Sequence, residues 1–249
     1  MSRPEASLSA KYFAARSGET SPAPGSLFDF LQKTKQALAA YKTIYQHINH
    51  LQESHPMHDI EPFTLWRDEY IAAEDRRSPF YGARNSLTQY THKIYNYYIH
   101  PQWDSFGSNT LYAKLLFVDY SQGYAILELI GEWNDCLYND VMYLKRYIAD
   151  PLISQGIVRY ILLCEQVLNF HGDDDSYYEE WYDDIKDDDG WIVCLNTFAH
   201  VVEEMQSTRL QHYLHFGKIF NNINWRPHKP DRIYEAIEGL VQRGQRRLY

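Results

Sequence analysis

Residues 111–133 read LYAKLLFVDYSQGYAILELIGEW, and the reading of this stretch decides the fold. Residues 111–120 and 124–133 are apolar and rich in strand formers, and only Ser121-Gln122-Gly123 separates them. Two such runs joined by a short glycine-containing turn pair as a β-hairpin. Downstream, residues 137–155 place Leu137, Val141, Leu144, Ile148 and Leu152 on one helical face, with Pro151 expected to kink or shorten the last turn and Gly156 to close it. Residues 158–167 (VRYILLCEQV) form a nearly continuous apolar run of strand length, which suits a central strand covered on both faces. Residues 176–186 carry Tyr177, Trp181 and Ile185 at helical spacing, and WIVCL at 191–195 is another short central strand. A third helix is expected over 197–207, with Val201, Val202 and Met205 inward, and a mixed segment follows over 210–220. Pro230 then introduces a last amphipathic helix carrying Ile233, Ile237, Leu240 and Val241. The order hairpin, helix, strand, helix, strand, helix predicts an α/β fold: a mixed sheet led by a hairpin, with helices packed on it.

Upstream the period is different. Residues 1–25 are rich in Ser, Pro, Gly and Ala and read as a disordered tail. A helical segment is expected over 26–105: Ser26 caps a long amphipathic helix through Leu51, and helical patterns recur over 63–76 and 83–99. The α/β domain with its C-terminal helix then occupies 106–249.

The bulk numbers restrict function. With 45% apolar and 23% charged residues the 249-residue chain lies within the ordinary globular range, and its 22 Tyr suit half-buried interfaces. No window is long and apolar enough to span a membrane, and the N-terminus lacks the layout of a signal peptide, so a cytoplasmic location is expected. Cys136, Cys164 and Cys194 show no metal or redox spacing and read as buried, reduced thiols. Residues 173–189 contain ten acidic side chains and one base, Lys186, so this stretch alone accounts for the net charge of −9. That balance argues against nucleic acid as a partner.

Four features resemble the STAS domain of anti-sigma-factor antagonists: Gly131-Glu132 near the end of the hairpin, the helical pattern from Leu137 to Gly156, the strand VRYILLCEQVLN at 158–169, and Asp175-Ser176 before the second helix. The resemblance covers residues 111–220. It implies a STAS-like scaffold, a regulatory role exerted through a protein partner, and Ser176 as a phosphoacceptor. Tyr177 and Tyr178 stand where that family has smaller residues, which changes the surface.

Read from the residues alone, Ser176-Tyr177-Tyr178-Glu179 is also a capping box, with Ser176 as N-cap and Glu179 reaching back to its amide. The acidic run reads as a solvated, partner-docking edge formed by Asp173, Asp174, Asp175, Ser176, Glu179, Glu180, Asp183 and Asp184. Two exposed charges about 6 Å apart in water repel by only about 0.7 kcal/mol, so such an edge needs no metal to fold. The rival reading is a cation-dependent enzyme using Glu165, His171 and the run Asp173, Asp174, Asp175 at the carboxyl end of the central strand, where open α/β sheets place ligands. No calcium-loop spacing, phosphate loop or nucleophile elbow accompanies these residues. The sequence therefore favours a non-catalytic regulatory or interaction module with no cofactor, docking a basic protein surface. The basic residues Arg226, His228, Lys229, Arg243, Arg246 and Arg247 leave open a homo-oligomer in which they meet the acidic run of a second copy.

Overall fold

The computed structural model describes residues 60–245, within the second of two units, 1–56 and 57–249. The tail expected over 1–25 and the helix expected over 26–51 lie outside the described residues, as do Arg246 and Arg247.

The hairpin forms as expected, with β3 (Leu111–Asp119) antiparallel to β4 (Tyr124–Asn134). Its turn is built by Asp119, whose Oδ1 accepts from Ser121 N at 2.8 Å and Gln122 N at 3.0 Å. Asp119 thus supplies acceptors that the tight backbone cannot. Gly123 completes the turn at φ 72°, and a Cβ there would meet Gly156 O at 2.9 Å. β3 bulges between Leu115 and Phe117.

The sheet order is β3-β4-β5-β6. β5 (Arg159–His171) and β6 (Trp191–Leu195) run parallel to β4 and to each other. Strand alternation divides their side chains between two cores. Tyr160, Leu162, Cys164, Ile192 and Cys194 face one layer of helices, whereas Ile161, Leu163, Val193 and Leu195 face another. The first layer comprises α1 (Asp135–Tyr138), α2 (Asp140–Leu144), α3 (Asp150–Ile153), α4 (Ser176–Ile185) and α5 (Ala199–Ser207). α6 (Pro230–Gln245) covers the opposite face through Ile233, Tyr234, Ile237 and Val241. Burying each such aliphatic side chain contributes about 1.5–3 kcal/mol, which explains why the apolar run of β5 tolerates no solvent-facing side over its first half.

The single helix expected over 137–155 is interrupted twice. Asn139 takes a left-handed φ of 51°, separating α1 from α2, and turns Leu137 outward to 74% exposure instead of placing it on the inner face. A π-helical turn over Lys145–Ala149 precedes α3. Pro151 has no N–H for the carbonyl four residues back, and the wider turn accommodates the mismatch. Gly156 closes the segment at φ 85°.

Residues 60–110 depart from expectation. The helical patterns over 63–76 and 83–99 form turns and a minimal hairpin, β1 (Lys93–Ile94) with β2 (Tyr97–Tyr98). Tertiary partners take the polar groups that a helix would have paired internally. Phe63 N donates to Glu128 Oε2 at 2.8 Å, Trp66 Nε1 to His228 O at 3.0 Å and Trp103 Nε1 to Ile60 O at 2.7 Å. The apolar side chains were spaced for a face of the sheet, not for a helix stripe: Trp66 joins the α6 core, Ala72 and Phe80 the opposite one. Trp103, in the 100–104 linker, is fully buried with Ile94, Ile99, Tyr112 and Ile130.

Candidate functional site

The carboxyl ends of β4 and β5 bring together the 134–140 loop and the start of α4. Each is fixed by carboxylates. Asn134 Oδ1 accepts from Leu137 N at 3.0 Å and caps α1. Beneath the loop, Asp135 Oδ1 accepts from Val141 N at 2.8 Å and its Oδ2 from Tyr178 OH at 2.5 Å. Burial pushes the Asp135 carboxyl up to about 7, against the pull of these hydrogen bonds. Asp140, fully buried, accepts from Asn134 N at 2.7 Å and Thr110 Oγ1 at 2.9 Å, and burial raises it as well.

Across from this loop, Cys136 Sγ donates to Gly172 O at 2.8 Å. Cys164 and Cys194 are buried and free as expected, but Cys136 is exposed, because α1 ends at Asn139 before it can tuck under the sheet. Together Asp135, Cys136, Leu137, Asn139, Asp173, Asp174, Ser176 and Tyr177 line a depression of about 340 Å³.

The capping box expected at Ser176 does not form. The N-cap is Asp175, whose carbonyl accepts from Tyr178 N and Glu179 N, and Ser176 is the first helical residue. Asp174 Oδ1 instead accepts from Ser176 N at 2.7 Å, and hydrogen bonds from Ser176 hold that carboxyl below the usual range. Asp175 Oδ2 accepts from Tyr213 OH at 3.2 Å. An acidic residue at each of these positions also complements the positive end of the helix.

The eight residues of the expected docking edge do not share one setting. Glu180 and Asp184 face α2 and the π turn: Arg146 grips Glu180 with both terminal nitrogens at 2.6 and 2.8 Å, and Lys145 Nζ lies 2.6 Å from Asp184 and 3.6 Å from Glu180. The Lys145 side chain is only 1% exposed and also pairs with Asp150. Burial pulls its ammonium down, but the carboxylates of Asp150 and Asp184 outweigh that, and the net shift is upward. Asp183 pairs at the surface with Lys186 at 2.6 Å. Asp173, Asp174, Ser176 and Glu179 remain exposed to solvent.

The residues of the enzymatic alternative do not converge. Glu165 lies mid-strand on the α6 side, where it pairs with Arg226 and accepts from Trp225 Nε1 at 2.9 Å and from Asn196 Nδ2. His171 is six residues further along β5, about 20 Å at the strand rise, and Asp173 is beyond it. Among the described residues no group of three or more His, Cys, Asp or Glu side chains could hold a metal ion. Two of the basic C-terminal residues are engaged within the chain: Arg226 reaches Glu165 and Glu128, and Lys229 pairs with Glu69 at 3.1 Å.

Sequence reading missed Asp135, Asp140, Lys145 and Arg146. Arg146 with Asp150 is an i,i+4 pair and could have been found on that ground. A buried lysine answering α4 has no local signal.

No family model matches the chain, and no curated protein matches it. Solved structures do. The anti-sigma factor antagonist SpoIIAA in its unphosphorylated form is 12% identical over 51% of this chain and 96% of its own, with a TM-score of 0.38. The Bacillus cell fate determinant SpoIIAA in its phosphorylated form is 13% identical over 43% of this chain and 91% of its own, with a TM-score of 0.32. A Thermotoga maritima protein provisionally assigned as an anti-sigma factor antagonist is 14% identical over 43% and 86%, also at 0.32. The likeness is that of a segment, about half of the chain. Among the described residues no helix is long and apolar enough to cross a membrane.

Proposed function

We propose that this chain is a non-catalytic regulatory module that docks a basic protein partner at the amino-terminal end of α4. The observation that carries the reading is the partition of the acidic run. Glu180 and Asp184 are paired with Lys145 and Arg146, whereas Asp173, Asp174 and Glu179 are exposed, the first two on the rim of the depression that Leu137 borders. Acidic groups around an exposed apolar side chain suit a partner segment that carries Lys or Arg next to a large hydrophobe, because charge steers the encounter and apolar contact holds it. Ser176, at the same rim, belongs to the docking surface. Asp183 is a peripheral contributor, already half satisfied by Lys186.

The test is quantitative affinity capture by the full chain, comparing the natural sequence with the triple variant Asp173→Asn, Asp174→Asn, Glu179→Gln. Partners retained by the docking surface are lost in the variant and weakened by added salt, which screens exposed charges. Capture that is the same for both proteins would overturn the reading.

A further inference from the structure

We infer that the cleft between residues 63–85 and the edge strand β3 binds a small aromatic carboxylate. The open space there is about 250 Å³. Its apolar wall includes Trp66, Phe80 and Leu115, all buried, with half-buried Phe63 and Tyr70 beside them. A wall so rich in rings suits a flat apolar body of one or two fused rings, and the volume is enough to hold one.

Polar groups converge at one end, and their charges do not cancel. Lys114 Nζ lies 2.9 Å from Asp104 Oδ2 and also donates to Gln102 O at 2.9 Å. Asn85 Nδ2 donates to Asp104 Oδ1 at 2.5 Å. Lys114 and Asp104 therefore neutralise each other inside the cleft. Arg67 is the cation left over: it is exposed, its hydrogen bond is a long 3.5 Å contact to Gln102 Oε1, and no carboxylate pairs with it among the described residues. A planar guanidinium at the mouth of an aromatic cleft is matched by a carboxylate, which it can hold through two parallel hydrogen bonds while the ring lies on the wall. A neutral aromatic would leave Arg67 unanswered, and an inorganic anion would leave the wall empty.

This site shares no residue with the α4 edge, so it stands or falls independently of the docking reading. The test is isothermal titration calorimetry of the full chain with 2-naphthoate, using the uncharged 2-naphthamide as comparator. We expect 2-naphthoate to bind with a Kd on the order of 0.1–1 mM, as befits a fragment-sized ligand. Arg67→Gln should weaken it about tenfold while changing 2-naphthamide by less than about twofold, the pattern of one lost charge-assisted contact. Ala83→Trp, at an exposed position on the lip, should abolish binding of both probes. Both positions are on the surface, and unchanged melting curves would show that the variants fold. Absence of heat from 2-naphthoate up to about 5 mM, or equal affinity for it in the natural protein and Arg67→Gln, would overturn the inference.

Discussion

The carboxylates beneath the 134–140 loop and those along α4 are the same chemical group in opposite settings. Asp135 and Asp140 are buried, accept hydrogen bonds from the chain around them, and are raised by desolvation. Asp174 is exposed and shifted downward, while Glu180 and Asp184 pair with Lys145 and Arg146. Burial makes an acid part of the folding equilibrium, and exposure leaves it available to something outside. The difference teaches that the ten acids of the 173–189 run cannot be counted as one patch.

The strongest way to sharpen this contrast is the pH dependence of stability. Asp135 moves from 3.8 to about 7, and burial likewise raises Glu128 from 4.5 to about 7. Between the unfolded and folded values the native state binds more protons than the unfolded chain. The stability these two groups contribute therefore falls as pH rises from about 4 through 7 and levels off above, each contributing on the order of 2–4 kcal/mol. Urea unfolding at a series of pH values should show this fall, and Asp135→Asn should remove about half of it, the part that Glu128 does not supply. The same profile with and without Asp135→Asn would show that Asp135 ionises in the fold as it does in the unfolded chain.

Next in size is Lys145→Ala. Removing this buried ammonium leaves Asp150, Glu180 and Asp184 facing one another, and we expect a loss of about 2–3 kcal/mol, below the usual figure for a broken buried pair because these carboxylates reach water. Adding Asp184→Asn should restore part of the loss, a coupling readable from a double-mutant cycle. Arg146→Ala should cost less, about 0.5–1 kcal/mol, since the Arg146–Glu180 pair is half exposed. Raising salt should shrink that difference.

The smallest stability effect is expected from the triple variant at Asp173, Asp174 and Glu179: a melting curve that overlays that of the natural sequence, as for other exposed positions. A large loss would mean that this edge works for the fold and not for a partner.

Much of the sheet was legible because its signals are local. The hairpin turn, the apolar run of β5, WIVCL and the start of α6 at Pro230 each follow from residues within a few positions of one another. The 60–110 segment was misread because Leu, Tyr and Ile at three and four residue steps satisfy a helix template. That template cannot register Phe63 N donating to Glu128, 65 residues away. The cap of α4 was misplaced by one residue for a similar reason: Ser and Asp both qualify at the position, and local chemistry does not rank them.

By itself the sequence determined the α/β class, the lead hairpin and the concentration of negative charge in 173–189. These depend on periodicity, turn chemistry and composition, which neighbouring residues carry. Tertiary structure alone decided which acids are buried, which are neutralised and which stay free. A carboxylate's charge and cost depend on the dielectric and the partners that folding brings to it, and Lys145, Arg146 and Tyr178 reach their acids from 34 to 43 residues away.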